Sequence, residues 1–289
     1  MNVILEKYGY APDMEAIDRI LTQIQNNLDN YESQENLAAC MGLIDLTSLN
    51  SSDTEAKITA LTQKVNNAKS NFPEYPLPAA ICVYPNFAGT VKEHLTHHNV
   101  KVAAVAGVFP NSQSFLEVKK LECKMAVENG ADEVDIVLPL HLFLAGEFQK
   151  AADEIKTLKE TICGKTLKVI LETGILASPA NIAAASFLAM EAGADFIKTS
   201  TGKLEPAATP MAAIIMCETI KRYYIQCGRK VGFKAAGGMT SPKDALCYYS
   251  IADTILGKEW LDKEYFRLGT SRLANAILGE LEKKTVSYY

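Results

Sequence analysis

The chain has 289 residues, 48% of them apolar and 22% charged, with a formal net charge of −5. It is too hydrophobic for a mainly disordered chain, and no Lys/Arg run forms the basic stripe of a nucleic-acid binder. No uninterrupted apolar stretch reaches the length of a membrane span, and the opening MNVILEKYGYAPDME lacks the basic-then-apolar order of a secretory signal. Seven cysteines (Cys40, Cys82, Cys123, Cys163, Cys217, Cys227 and Cys247) form no C-x-x-C pair. Their odd number reads as reduced thiols in a cytoplasmic protein. His94 and His98 share a helical face beside His97, and His141 stands alone. No H-E-x-x-H pattern surrounds them, so no metal site is expected.

Within an N-terminal extension over 1–41, residues 12–41 carry helical periodicity: Ile17, Ile20, Leu21, Ile24 and Leu28 recur at three- and four-residue steps. One or two helices are expected there. From residue 42, short apolar runs alternate with longer amphipathic ones. Strands are expected at 42–46, 79–84, 101–108, 132–138, 167–173, 194–200, 230–235 and 253–257. Helices are expected at 53–71, 87–98, 114–129, 147–163, 178–193, 210–226, 241–252 and 270–283. Near-continuous apolar strands indicate burial on both faces of a parallel sheet. Eight β–α units with short connections indicate an α/β fold, a (β/α)8 TIM barrel over 42–283 with extra N-terminal helices. A doubly wound open sheet competes, but no G-x-G-x-x-G opens a helix after the first strand. Residues 284–289, after the last helix, are expected to be a mobile tail.

In such a barrel, reactive groups sit where the strands end. Polar residues at those places are Asp45, Cys82, Asp135, Glu172, Lys198 and Lys234. Both lysines interrupt apolar runs, and lysine is rarely buried without a partner. A structural ion-pair network explains one such lysine as well as catalysis does. Two of them, with Asp135 on another strand, favour chemistry. Desolvation or a second cation disfavours the charged form of an amine, and a neutral amine can attack an aldehyde to form a Schiff base. Asp135 can hold one lysine charged and pass protons through water. Spacing does not say which lysine attacks.

Three late segments suit a phosphate: Thr199-Ser200-Thr201-Gly202-Lys203, Ala236-Gly237-Gly238 and Gly269-Thr270-Ser271-Arg272. Glycines let backbone N–H groups approach an anion, and Thr270 or Ser271 can cap the last helix. Ordinary turns explain any one segment; their joint placement, with Lys203 and Arg272 supplying charge, favours phosphate.

At these residues the sequence resembles the deoxyribose-phosphate aldolases. LIDLTSLN (43–50), ICVYPNF (81–87), GADEVDIVLP (130–139), LKVILETGIL (167–176), GADFIKTSTGK (193–203) and VGFKAAGGM (231–239) stand in the family's order. The length and terminal tyrosine resemble its longer branch. The resemblance implies a class I aldolase needing neither metal nor cofactor, acting on a phosphorylated sugar, often as a homodimer. It would cleave 2-deoxy-D-ribose 5-phosphate reversibly to acetaldehyde and D-glyceraldehyde 3-phosphate. By the same resemblance Lys198 forms the Schiff base, Lys234 lowers its pKa and Asp135 relays protons. Asp45 and Thr47 lie on the substrate side, and Thr201, Gly202, Lys203, Gly237, Gly238 and Ser271 bind the substrate and its phosphate. Tyr289 would assist proton transfer at the enamine carbon, though a disordered tail accounts for it equally. Two features depart from the pattern: the N-terminal segment is longer, and Arg272 stands where a serine is common. Arg272 would strengthen phosphate binding or point away from it. Cys82 would lie near the site, a trap for aldehyde or a small core residue. A Schiff-base barrel for another sugar phosphate, and a non-catalytic sugar-phosphate binder, are the competing readings.

Overall fold

The structure, a computed structural model, describes residues 2–289. Three helices come first: α1 (Asn2–Lys7), α2 (Met14–Asn27) and α3 (Gln34–Gly42). Asp13 caps α2 by accepting from the Glu15 and Ala16 amides, and Ser33 caps α3 by accepting from Asn36. The barrel then runs β1 (Ile44–Thr47), α4 (Glu55–Asn71), β2 (Ala80–Val83), α5 (Ala88–His94), β3 (Lys101–Val105), α6 (Leu116–Glu128) and β4 (Glu133–Val137). A short α7 (Leu140–Leu144) precedes α8 (Phe148–Thr161), β5 (Thr166–Ile170), a short α9 (Thr173–Leu176) and α10 (Pro179–Glu191). It ends with β6 (Phe196–Lys198), α11 (Pro210–Cys227), β7 (Gly232–Ala236), α12 (Pro242–Leu256), β8 (Phe266–Thr270) and α13 (Leu273–Glu282). All neighbours pair in parallel, and β1 pairs with both β2 and β8, closing an eight-stranded (β/α)8 barrel.

Proline at the first turn with Ser or Thr just before it starts α10, α11 and α12. Each apolar strand packs outward against its helix: Val134 and Ile136 of β4, Val169 of β5 and Phe233 of β7 are fully buried or nearly so. No helix of the described residues is long and apolar enough to cross a membrane. All seven cysteines are free thiols.

The last strand corrects the sequence expectation. Residues 253–256 are the end of α12, and β8 lies ten residues later. Asp253-Thr254-Ile255-Leu256 forms the last turn of that helix, with Ile255 and Leu256 buried, until Gly257, at φ +96°, stops it. The true strand, FRLGT, is broken up in sequence by Arg267 and Gly269. Arg267 is nevertheless fully buried, and Gly269 is required by crowding: a Cβ there would lie 2.9 Å from Cε of Lys234.

The tail is docked rather than free. Asn275 Oδ1 accepts from the amides of Tyr288 and Tyr289 at 2.9 and 2.8 Å, and Asn275 Nδ2 donates to the Tyr289 carbonyl at 2.9 Å. The Tyr288 hydroxyl donates to the Lys64 carbonyl, and its ring meets Phe72 edge-on. Residues 284–289 thus fold back along α13 towards α4.

The N-terminal helices are bound to the barrel wall: α1 packs on α10, α2 on α11 and α12, and α3 on α12 and α13. Tyr8 anchors α1, its ring stacked on Phe187 at 4.1 Å and its hydroxyl donating to Glu191 at 2.5 Å. Tyr8→Ala is expected to lower stability by about 2–4 kcal/mol, read as a lower urea midpoint with the barrel's circular dichroism retained.

Candidate active site

Side chains two residues apart on a strand face the same way, so Glu133 and Asp135 of β4 both project into the barrel. Lys168 of β5, Lys198 of β6, Lys234 of β7, Arg267 of β8 and Asp45 of β1 join them. All seven are buried. Register brings them level: Asp135 lies beside Lys168, Lys198 beside Lys234, and Lys234 beside Arg267.

Asp135 is the hub. Its Oδ1 accepts from Lys168 at 2.9 Å, and its Oδ2 accepts from Lys198 at 2.9 Å and Lys234 at 2.8 Å. Lys234 also donates to Asp45 Oδ2, and Lys168 to Glu133 Oε2. Arg267 closes the base, donating to Asp45 Oδ1 at 2.6 Å and to both Glu133 oxygens at 2.7 and 3.0 Å. Four cationic side chains therefore face three carboxylates in one buried cluster.

One surplus positive charge in a desolvated interior is costly. The amine with the fewest carboxylate partners gives up its proton most readily. Lys234 and Lys168 each bond two carboxylates, whereas Lys198 bonds Asp135 alone. Burial, with the charge of Lys234 added, lowers the pKa of Lys198 against the pull of Asp135. Burial opposes the charge of Lys234 and Lys168 too, but the carboxylates around each outweigh it and raise both pKa values. Burial likewise works against the charge of Asp135 and Asp45, and the cations overcome it, holding both below the usual carboxylate range. Of the three lysines in the cluster, Lys198 is thus the one whose charged form is least supported.

Lys198 also opens onto a cavity of about 190 Å3, lined by Thr47, Leu49, Asn50, Thr201, Gly202, Lys203, Ala236, Gly237, Gly269, Thr270 and Ser271. This is the strand-end face of the barrel. Gly202, Gly237 and Gly238 all have φ near +75°, which turns successive N–H groups into a concave nest suited to an anion. A Cβ on Gly237 would lie 2.8 Å from Cβ of Ala207 and 3.1 Å from Cα of Gly202. Thr270 Oγ1 accepts from the amides of Arg272 and Leu273 at the start of α13, so Thr270 rather than Ser271 does the capping. Lys203 Nζ donates to the Leu49 carbonyl, bridging the loops after β6 and β1.

A loop so open needs bracing. Glu172, a non-glycine residue at φ +55°, accepts from the Thr201 amide at 3.2 Å and the Thr201 hydroxyl at 2.5 Å. The Thr199 hydroxyl accepts from the Ala236 amide at 3.0 Å and donates to its carbonyl, tying β6 to β7.

The structure therefore gathers Lys198, Thr47, Thr201, Gly202, Lys203, Gly237 and Ser271 around one cavity, with Gly238 beside it. Asp45, Asp135 and Lys234 lie buried in the charged cluster. Cys82 is fully buried, and burial pushes its thiol pKa up, so packing is its structural role. Arg272 is exposed and outside the cavity lining. Tyr289 is held at Asn275 and is likewise outside that lining. Residues not singled out from sequence are Lys168, Glu133, Arg267, Leu49 and Asn50. Lys168 showed the same signal as Lys198, a lysine inside an apolar run. A larger cavity of about 810 Å3, between Tyr8–Tyr10 and the end of α11, holds none of these groups. Among the described residues no cluster of three or more His, Cys, Asp or Glu has metal-binding geometry.

Comparison with known proteins agrees with this geometry. A family model described as DeoC/LacD family aldolase matches residues 39–248. A curated protein of Caenorhabditis elegans named "Putative deoxyribose-phosphate aldolase" is 37% identical over 268 residues, 92% of this chain and 88% of its own. A Coccidioides immitis structure with the same designation superposes with TM-score 0.69 at 25% identity, covering 92% of this chain and 98% of that one. The deoxyribose phosphate aldolase of Aeropyrum pernix, described as a tetramer, superposes with TM-score 0.66 at 25% identity, covering 93% and 98%. The chain is an enzyme, and it belongs to the DeoC/LacD family of aldolases.

Proposed function

We propose that this aldolase reversibly cleaves 2-deoxy-D-ribose 5-phosphate to acetaldehyde and D-glyceraldehyde 3-phosphate, through a Schiff base on Lys198, in deoxyribose phosphate catabolism. One observation carries the reading: of the three lysines in the charged cluster, Lys198 alone has its pKa lowered, and it alone lines the glycine-rich cavity. Seven unpaired cysteines favour a reducing compartment, and we place the reaction in the cytoplasm.

The phosphate of the open-chain sugar binds the amides of Gly202, Gly237, Gly238 and Ser271, with Lys203 supplying charge. Thr47 and Thr201 face the sugar hydroxyls. Anchored there, the substrate presents C1 to Lys198. The neutral Nζ attacks the C1 carbonyl, the carbinolamine loses water, and a protonated imine forms. Asp135, bonded to both Lys198 and Lys234, passes the protons through water. Removal of the C3 hydroxyl proton breaks the C2–C3 bond. The bonding pair moves into the iminium, leaving an enamine on Lys198 and free D-glyceraldehyde 3-phosphate. Protonation of the enamine carbon and hydrolysis of the imine release acetaldehyde and return the amine. Tyr289 is tied to Asn275, so a part for it in protonating the enamine carbon requires the tail to leave that dock.

Borohydride reduction in the presence of 2-deoxyribose 5-phosphate is expected to leave one adduct, on the peptide carrying Lys198. Lys198→Leu should fold, take no adduct and lose turnover by at least about three orders of magnitude. Turnover at the wild-type rate would defeat the assignment.

The pH profile tests Lys234. The rate rises as Lys198 loses its proton, and its lowered pKa sets that rising limb below the ordinary lysine range. Lys234→Leu removes a repelling cation and leaves Asp135 to hold Lys198 charged. Both effects raise the Lys198 pKa, so the limb should move to higher pH, with the rate at pH 7 cut about 10- to 100-fold. A limb that stays in place would rule out this electrostatic role. For the tail, deletion of Tyr289 is expected to slow exchange of the methyl protons of acetaldehyde with solvent, measured by NMR. An unaltered exchange rate would leave the tail a packing role only.

A further inference from the structure

Glu172 and the short helix α9 lie outside the cavity lining, yet the loop that forms one side of the cavity is pressed against them. A Cβ on Gly174 would collide with the Pro206 carbonyl oxygen, so the backbones of α9 and of the loop after β6 are in direct contact. Across the same seam the Glu172 carboxylate, 1% exposed, accepts from the Thr201 amide and hydroxyl. The Thr201 hydroxyl in turn accepts from the Lys203 amide at 3.1 Å. One carboxylate thus fixes the turn Thr201-Gly202-Lys203. With the Thr201 and Lys203 amides satisfied inside the turn, the Gly202 amide between them has no acceptor among the described residues and is the donor left for an anion.

This arrangement is unfavourable for the fold taken alone. Glu172 at φ +55° and Ala177 at φ +57° put non-glycine residues at positive φ at both ends of α9. The hydroxyls of Thr173 and Ser200, adjacent in sequence to Glu172 and Thr201, are buried without a hydrogen-bond partner among the described residues. Unlike Asp45, Glu133 and Asp135, which meet lysine or arginine, the Glu172 carboxylate is held by a threonine. A turn serving stability alone would carry glycine at position 172.

We propose that Glu172 is a positioning residue that makes the enzyme selective for phosphorylated over unphosphorylated sugars. The role rests on the phosphate binding proposed above at Gly202, Gly237, Gly238 and Ser271. Glu172 sets the Thr201–Lys203 turn before substrate arrives and holds Gly202 against Gly237. A preset nest avoids the ordering cost that a mobile glycine turn would impose on phosphate binding. A sugar without phosphate has no group for the nest and gains nothing from it. The contribution of Glu172 is geometric, because a carboxylate beside an anion site repels the anion. Glutamine keeps that geometry: its amide oxygen accepts from the Thr201 amide, and its NH2 group donates to the Thr201 hydroxyl oxygen.

Steady-state cleavage of 2-deoxyribose 5-phosphate and of 2-deoxyribose by the full chain tests the proposal. Wild type is expected to favour the phosphorylated sugar in kcat/KM. Glu172→Gly, which suits the positive φ, should lower that preference by at least about tenfold, chiefly through a raised KM for the phosphorylated sugar. It should still take a borohydride-reduced acetaldehyde adduct on Lys198. Glu172→Gln should stay within about threefold of the wild-type preference. Thr201→Val removes the hydroxyl that Glu172 holds and provides the same test should Glu172→Gly fold poorly. A wild type with no preference for the phosphorylated sugar overturns the phosphate reading and this role with it. Where wild type shows the preference, three results overturn the positioning role alone: a folded Glu172→Gly or Thr201→Val that keeps the preference, one that loses both substrates equally, or a Glu172→Gln as impaired as Glu172→Gly.

Discussion

The interior of this barrel holds more positive charge than its carboxylates can neutralise. Lys168, Lys198, Lys234 and Arg267 meet Asp45, Glu133 and Asp135 in a buried cluster that reaches the cavity only at Lys198. Desolvating any one of these ions costs several kcal/mol, and an ion pair regains that only when its hydrogen bonds are complete. Each carboxylate here accepts from two or more cationic groups. The remaining imbalance falls on the group with the weakest claim on a carboxylate, Lys198. Its lowered pKa follows from the charge count and the hydrogen-bond pattern together.

The barrel makes such a count possible. Parallel strands from distant parts of the chain end side by side, so Asp45 and Arg267, 222 positions apart, bond directly. No single β–α unit could assemble the cluster. Packing is adjusted around it. Gly269 clears the path of the Lys234 side chain, and Phe196 lies 5.9 Å from the Lys168 ammonium as an aromatic face for the cation. Above the charged layer the chain switches from side chains to backbone. Glycines at positive φ, braced by Glu172 and Thr199, present amides rather than bulky groups to the cavity. The lower layer sets a proton affinity, and the upper layer suits an anion.

Most of this order was legible in the sequence because period and polarity agreed. Seven of the eight strands were apolar runs, and a lysine or aspartate inside such a run is conspicuous. Legibility failed where the cluster itself altered the pattern. β8 carries Arg267 and Gly269 because the charged layer requires a cation and a gap at those positions, and both residues disguise a strand. Asp253–Leu256 looks like a strand because a short helix end carrying two buried apolar residues, Ile255 and Leu256, cannot be told from one by periodicity. Glu133 was overlooked although it shares a face with Asp135, two residues away. Lys168 was overlooked although it sits in its run as Lys198 does. Those two carried a usable signal; Arg267 carried none without the strand. The docking of the tail through Asn275 depends on one side chain meeting two amides, which no local pattern announces.

A cluster of this kind is a poor device for stability. Replacing a buried ion network by apolar residues of similar volume is often neutral or stabilising. Its value lies in differential proton affinity. An isolated buried lysine would lose its charge by desolvation alone, but it would have no partner to accept and return protons. A lysine with two carboxylates, as at position 234, would hold its proton throughout the neutral range. Lys198 lies between these extremes, with one carboxylate that is itself shared with two other cations. Asp135 is therefore within hydrogen-bond reach of Lys198, and the other two cations on it weaken its hold on the Lys198 charge. The three lysines and one aspartate form a single electrostatic unit, and the proton affinity of one amine is a property of all four.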